Sequence, residues 1–479
     1  MFVGLLHGES TSNVARRSCG QDGTSCPDGP IAGSERIPIN GQTKQLPYPR
    51  EKAGGVDLLR DPRRRRWLAW GALALVFLAV NIHRLSTAVL SEELTADFGI
   101  SAAELGTLHA SFFAIYAVTQ IPTGVVADRY GPRYVGSGGA VVLSIGAIGF
   151  AASNGYVAGF LSRALIGLGS SVIFVTILRF CATWYRTDEF ATMTGLTAGI
   201  AGLGAVFATT PLALAVEQFG WRETLLGLAG FGFVGAGAVF ALARRSPEAA
   251  GLEPIENVPD QPAVTLGEAG GHLRELLGDL DQWLLSLIFF SASGTILTIM
   301  GLWGVPYLVV VYDMSVTSAS TYTLLGAVGI LLGSPAVGWI SDRIGERLRP
   351  MLVGLGGLTL VLAVIPAIGK PPLWIIAVVY FLTGFSLGFA MLSLSLVKER
   401  YPPGASGVAT ATVNGWGFFG ATVIPTAMGV VLDRHRTGEI VAGSVAYTEF
   451  GYRAAFAITT ASLAIAVLAG ALLVVRDRS

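Results

Sequence analysis

Few residues in this chain are equipped for chemistry, and several of them stand where a charge is costly. Asn81, His83 and Arg84 close a long apolar run that opens at Trp67, and Arg163 lies within another. An ionisable group at membrane depth costs several kcal/mol, so it is a functional candidate by default. Arginine stays charged and offers a planar fork that matches a carboxylate or a phosphate. Arg84 and Arg163 facing one cavity would hold a small anion between two such forks. Arg163 has a structural alternative, donation to backbone carbonyls of a neighbouring helix. His83 and His109 are the titratable groups left inside the apolar runs, because no Asp or Glu lies well inside any of them. His83 is a candidate to couple a proton to anion binding, against a structural histidine bonded to backbone. Exchange of one anion for another needs no coupling residue and stays open. Tyr116, Gln120 and Asn414 could line the same cavity. Trp303 and Tyr307 belong to Gly301-Leu302-Trp303-Gly304-Val305-Pro306-Tyr307, where two Gly and a Pro in one run suggest a bent helix whose backbone opens toward a cavity.

A second group of charges sits between apolar runs and occurs twice. Gly124, Asp128, Arg129, Gly131 and Arg133 return as Gly338, Asp342, Arg343, Gly345 and Arg347, at a constant spacing of 214 residues (342 − 128 for the acids). Ser101 and Ser315 upstream keep that spacing, as do Pro211 and Pro425 downstream. One register held across several apolar segments points to an internal duplication. Gly124 is expected to let two helices approach closely near the membrane face, Gly131 to permit the turn, and Asp128 to accept from Arg129 or Arg133. Arg179, near the same face, is expected to snorkel. Such a cluster can lock helices on one face and release them when two halves rock.

The elements that carry these residues follow from composition. The chain has 479 residues, 52% hydrophobic and 13% charged, with a mean hydropathy of +0.60. A soluble domain carries roughly 25% charge. The expected fold is all-α and polytopic, with twelve transmembrane helices as two pseudo-symmetric halves of six. Residues 1–61 read as a disordered cytoplasmic tail, 62–245 as the first half, 246–280 as a central linker and 281–479 as the second half. Leu273, Leu276, Leu277 and Leu280 at the end of the linker have the spacing of a helix lying along the surface. Arg63 to Arg66 before the first run, and Arg or Lys in the even-numbered loops, put both termini in the cytoplasm. Asp433–Arg453, an outside loop carrying three arginines, is discordant. Phe219-Gly220-Trp221-Arg222 and Phe450-Gly451-Tyr452-Arg453 open the last run of each half, and their spacing of 231 (453 − 222) gives the second half about 17 extra residues in that loop. The net charge is zero and nothing points to a nucleic-acid partner. Three cysteines, no nucleophile–base pair and no phosphate-binding Gly-rich loop argue against an enzyme, and no metal or cofactor is expected.

Twelve spans in two halves, a long linker and this loop motif in both halves resemble the major facilitator superfamily, over nearly everything after Pro62. Pro132 and Glu346 stand where the family often has a basic residue. The resemblance implies alternating access around a central cavity, with Asp128, Arg129 and Arg133, and Asp342, Arg343 and Arg347, acting in a cytoplasmic gate. It also implies that a monomer suffices. More narrowly, Asn81-Ile82-His83-Arg84 resembles the first span of the anion:cation symporters and organophosphate:phosphate antiporters, where a basic residue binds the substrate anion. Arg163-Ala164-Leu165-Ile166-Gly167-Leu168-Gly169 resembles the fourth span of the symporters. His83 and Ser170 stand where those symporters often carry acids.

The expected function is therefore secondary active transport of a small organic anion, a carboxylate or a phosphorylated metabolite, across the cytoplasmic membrane. A coupling proton or a counter-anion would drive it. Two alternatives remain on the same fold: an exporter of amphipathic compounds in which Arg84 is structural, and a membrane sensor that does not transport.

Overall fold

The computed structural model describes residues 61–258, 266–441 and 444–477. The tail expected over 1–61, with Cys19 and Cys26, lies outside these residues apart from Asp61. Among the described residues, eleven helical segments are each long and apolar enough to cross a bilayer. Ser91–Phe98 and Ala102–Gln120 complete a twelfth as a pair bent by 116°.

The first span is Pro62–Leu85, capped by Asp61 accepting from the Arg63 amide. The second and third form one run of 50 residues, Ala102–Ala151. Straight, it would measure about 75 Å, against about 30 Å of hydrocarbon. Gly131 resolves the mismatch: its φ of 74° and ψ of 169° lie outside helical space and divide the run. The fourth span is Tyr156–Ser171 with Ile173–Trp184, and the fifth is Thr187–Phe207 extended by Thr210–Phe219. Trp221–Leu242 is the sixth. The linker helix, Leu266–Leu276, packs on the eleventh span. Leu280–Tyr312, Val316–Ile344 and Leu348–Ile368 are the seventh to ninth spans, and Leu373–Arg400, Pro403–Asp433 and Glu449–Arg476 the tenth to twelfth.

The duplication is visible as repeated local chemistry. Ser101 and Ser315 both N-cap a helix, accepting from the Glu104 and Ser318 amides. Gly99 and Asp313, two residues before those caps, both hold the left-handed conformation, at φ 62° and 56°. Gly345, at φ 72°, turns the second copy of the charged motif as Gly131 turns the first. Arg222 donates to the Ser153 carbonyl after the third span. Arg453 donates to the Pro366 and Ala367 carbonyls at the end of the ninth, at 3.0 Å each. The repeated aromatic-Arg sequence thus ties the last span of each half to the third.

The loop whose arginines read as discordant is explained by the same bonds. Arg436 pairs with Asp433 at 2.7 Å and Arg453 is held by carbonyls, so two of its three arginines serve local structure rather than topology. The extra residues form a hairpin, β1 Arg436–Val441 against β2 Ser444–Tyr447, with Arg436 opposite Tyr447. Span periodicity alone gives no sign of it.

Among the described residues, the two halves meet at mid-depth and close most tightly at one end. A Cβ on Gly106 would come within 2.8 Å of the Pro425 carbonyl oxygen, and one on Gly429 within 2.3 Å of that of Ala102. These contacts join the second span to the eleventh on the face away from the charged motifs. The Asp433 carboxylate there accepts from the Ala102 and Ala103 amides, at 3.0 and 2.9 Å. Glu217 at the end of the fifth span accepts from Thr317 at the start of the eighth, at 2.7 Å. On the motif face several ion pairs each lie within one half: Arg66 with Glu189, Asp128 with Arg179, Arg347 with Asp342 and Glu399, and Arg400 with Asp281 and Asp477.

Candidate functional site

Arg84 ends the first span at the seam between the halves. Its guanidinium carbon is 5.3 Å from the Tyr116 ring centre and 5.5 Å from that of Phe418, so one aromatic comes from each half. Those rings are 4.3 Å apart. A cation over an aromatic face gains about 0.5–2 kcal/mol, which holds the fork on the seam without neutralising it. The Asn81 amide donates to the Phe77 carbonyl at 2.8 Å, which aims its own oxygen at Arg84, 3.2 Å away. Arg84 is half-buried, and its Nε has no partner among the described residues. One turn along the second span from Tyr116, Gln120 accepts from the Asn414 amide at 2.9 Å, again across the seam. Arg84, Tyr116, Gln120 and Asn414 are thus brought together. Phe418 joins them unforeseen; its signal is weak, a position four residues after Asn414 in an otherwise apolar stretch.

The other candidates stand elsewhere. Arg163 is fully buried. It donates to Ser86 Oγ at 3.2 Å, to the His83 carbonyl at 2.9 Å and to Thr87 Oγ1. That is the backbone-donating alternative, with two hydroxyls added: the fourth span clamps the chain where the first span ends. His83 is also fully buried, and neither ring nitrogen has a partner among the described residues. Trp303 and Tyr307 are buried in the second half, donating to the Pro425 carbonyl at 2.9 Å and the Gly369 carbonyl at 2.6 Å. The seventh span is irregular there, as its Gly and Pro suggest, with a π-helical turn at Ile299–Trp303. Its Gly301 makes room for another group: a Cβ there would meet the His109 ring at 2.9 Å and Leu85 at 3.3 Å.

The charged motifs differ from expectation in two respects. Asp128 pairs with Arg179 of the fourth span rather than with Arg129 or Arg133, so Arg179 does not simply snorkel. A Cβ on Gly124 or Gly338 would meet nothing within 4 Å. No helix approaches either glycine closely because the halves stand apart at this end. Arg129 lies over Tyr130, Arg133 over Tyr134 and Phe240, and Arg343 over Trp339.

Residues 66–425 match the family model described as Major Facilitator Superfamily. The chain belongs to this superfamily. The crystal structure of a bacterial homologue of the human lysosomal transporter Spinster, inward-facing and unoccupied, superposes with a TM-score of 0.69 at 17% identity, covering 85% of this chain and 97% of that one. Among curated proteins, a probable hexose phosphate transport protein of Chlamydia pneumoniae is 25% identical over 71% of this chain and 79% of its own length. A D-galactonate transporter of Escherichia coli O6:H1 is 23% identical over 77% and 89%. The protein is a superfamily transporter rather than an enzyme, built as two six-helix halves in a membrane.

Proposed function

We propose that this transporter carries a small organic anion, a carboxylate or a phosphorylated metabolite, by alternating access, and that Arg84 is its anion-binding fork. One observation supports this above the rest: Arg84 lies on the seam, half-buried, between aromatic rings of both halves and with Asn81 as its hydrogen-bonding partner. An anion there would complete its bonding. Gln120 and Asn414 would supply amide donors and acceptors to hydroxyl groups, and Tyr116 an aromatic wall. The relatives named for hexose phosphate and galactonate fit an anionic substrate of this size. Arg163 and His83 then act behind the site, fixing the end of the first span. Anion exchange is the simplest drive, since no carboxylate sits at mid-depth and the His83 ring is enclosed.

The two motif copies form the gate on the face read as cytoplasmic. Gly124, Asp128, Arg129, Gly131 and Arg133 meet Gly338, Asp342, Arg343, Gly345 and Arg347 when the halves close there. The conformation described here is the one with that gate open and the opposite face sealed.

The test is thermal unfolding of purified protein in detergent with small carboxylates, sugar phosphates and neutral nutrients, on wild type and Arg84→Gln. A ligand at about a hundred times its dissociation constant adds roughly 2.7 kcal/mol. Anions alone should shift the wild type, and Arg84→Gln should lose the shift. Equal shifts of both proteins by neutral or cationic amphiphiles would overturn the reading in favour of an exporter. Shifts without counterflow in proteoliposomes would make the protein a sensor.

A further inference from the structure

A crevice of about 290 Å³ runs down the outer wall of the first half. The second span gives it Val126 and Tyr130, the third Tyr134, Gly138 and Val142, and the fourth Leu168. Val126, Tyr130, Tyr134 and Leu168 are exposed although apolar or aromatic, as befits a wall turned to lipid. The mouth of the crevice differs from its walls. Each of its two tyrosines carries an arginine, Arg129 over Tyr130 at 5.6 Å and Arg133 over Tyr134 at 5.6 Å. Arg133 also lies 4.0 Å over Phe240, and its Nε, buried, has no partner among the described residues. The acid of this turn, Asp128, is already paired with Arg179. Arg245 packs against Gly131. Arg244 caps the sixth span through the Phe240, Ala241 and Ala243 carbonyls. Burial, then the neighbouring charges of Arg133 and Arg65, lower the pKa of Arg244 below its ordinary value. The corner is thus a positive cluster that repels itself and stands directly above an apolar slot.

We propose that this corner binds an anionic glycerophospholipid, with one acyl chain in the crevice and the phosphodiester on Arg129 and Arg133. Charge complementarity selects the headgroup, because two guanidiniums over tyrosine rings present donors to a phosphate at the depth where headgroups lie. The apolar walls below select an acyl chain over a free anion. The site is separate from the seam that holds Arg84 and does not depend on what the transporter carries.

Thermal unfolding of the full chain in non-ionic detergent tests this. The additions are dioctanoyl phosphatidylglycerol, dioctanoyl phosphatidylcholine and glycerophosphoglycerol, the headgroup without its chains. Each is run on the wild type and on Arg84→Gln, so that binding at the transport seam is subtracted. Phosphatidylglycerol alone should raise the unfolding temperature in both proteins. Replacing Arg129 and Arg133 by Gln should raise the lipid concentration for half the shift by about 30-fold. Gly138→Leu fills the crevice from a position where an added Cβ meets nothing within 4 Å, so it folds and should abolish the shift. An equal response to phosphatidylcholine or to the bare headgroup would overturn the proposal. So would a phosphatidylglycerol response that survives Gly138→Leu.

Discussion

Two arginines of similar depth do different work, and the difference lies in what their donors meet. Arg163 directs its donors at Ser86, Thr87 and the His83 carbonyl, and no part of it is exposed. Hydrogen bonds to a charged group are worth about 1.5–3 kcal/mol each. Arg163→Gln should therefore cost about 2 kcal/mol or more, read as a lower unfolding temperature. The anion-induced shift should survive that change; its complete loss would bring Arg163 into the binding site. Arg84 meets ring faces and one amide oxygen, so Arg84→Gln should leave the unfolding temperature nearly unchanged and remove the ligand response. Both residues were found in sequence as charges inside apolar runs. Which of them reaches the seam was not legible, because both belong to the same half and the answer depends on how the turn after Leu85 rotates the first span.

At the scale of elements, the seal on the face away from the charged motifs is made by helix ends. Asp433, at the C-terminus of the eleventh span, caps the first two amides of the second span from the other half. Glu217, at the end of the fifth, reaches the first turn of the eighth. A carboxylate at a helix N-terminus satisfies orphan donors and complements the dipole, and removing such a cap costs about 0.5–2 kcal/mol. Asp433→Ala should shift the population toward the form open on that face by about fivefold. Spin labels at Gln218 and Ser318, both exposed and outside the Asp433 contact, would show this as a longer-distance component. An unchanged distance distribution would mean that the backbone contacts at Gly106 and Gly429 hold the seal alone. The N-cap serines of these helices were readable from the duplication, whereas the acids that reach the same helix ends were not: Asp433 comes from 331 residues away and Glu217 from 100 residues away, each from the other half, and nothing local in the sequence pairs them.

For the molecule as a whole, the alternating access proposed above would run between this seal and the open motif face. A Cβ on Gly195 or on Gly338 meets nothing within 4 Å. They lie on the fifth and eighth spans, motif-ward of the Gly202–Leu331 contact where those spans already touch. Closure should bring them together. The pair Gly195→Cys and Gly338→Cys should cross-link poorly without substrate and several-fold better with it. The cross-linked protein should stop transporting and recover on reduction. Cross-linking that ignores substrate would argue against closure at this face. The overall architecture was legible because one spacing of 214 residues runs through caps, turns and charges, and each recurring residue type recurs for a local backbone reason. The state of the molecule was not legible, since both states use the same helices and differ in which ends of the halves touch.

The two carboxylates of this seal have a consequence for tempo. In the alternating-access cycle proposed above, Asp433 and Glu217 would have to let go and be regained each time, so whatever they contribute to the sealed form would add to the barrier for leaving it. Tightening them would not improve the carrier's grip on its cargo. It would lengthen the dwell between deliveries, and substitutions at these two positions belong with the clockwork of the protein, to be read in turnover number at saturation.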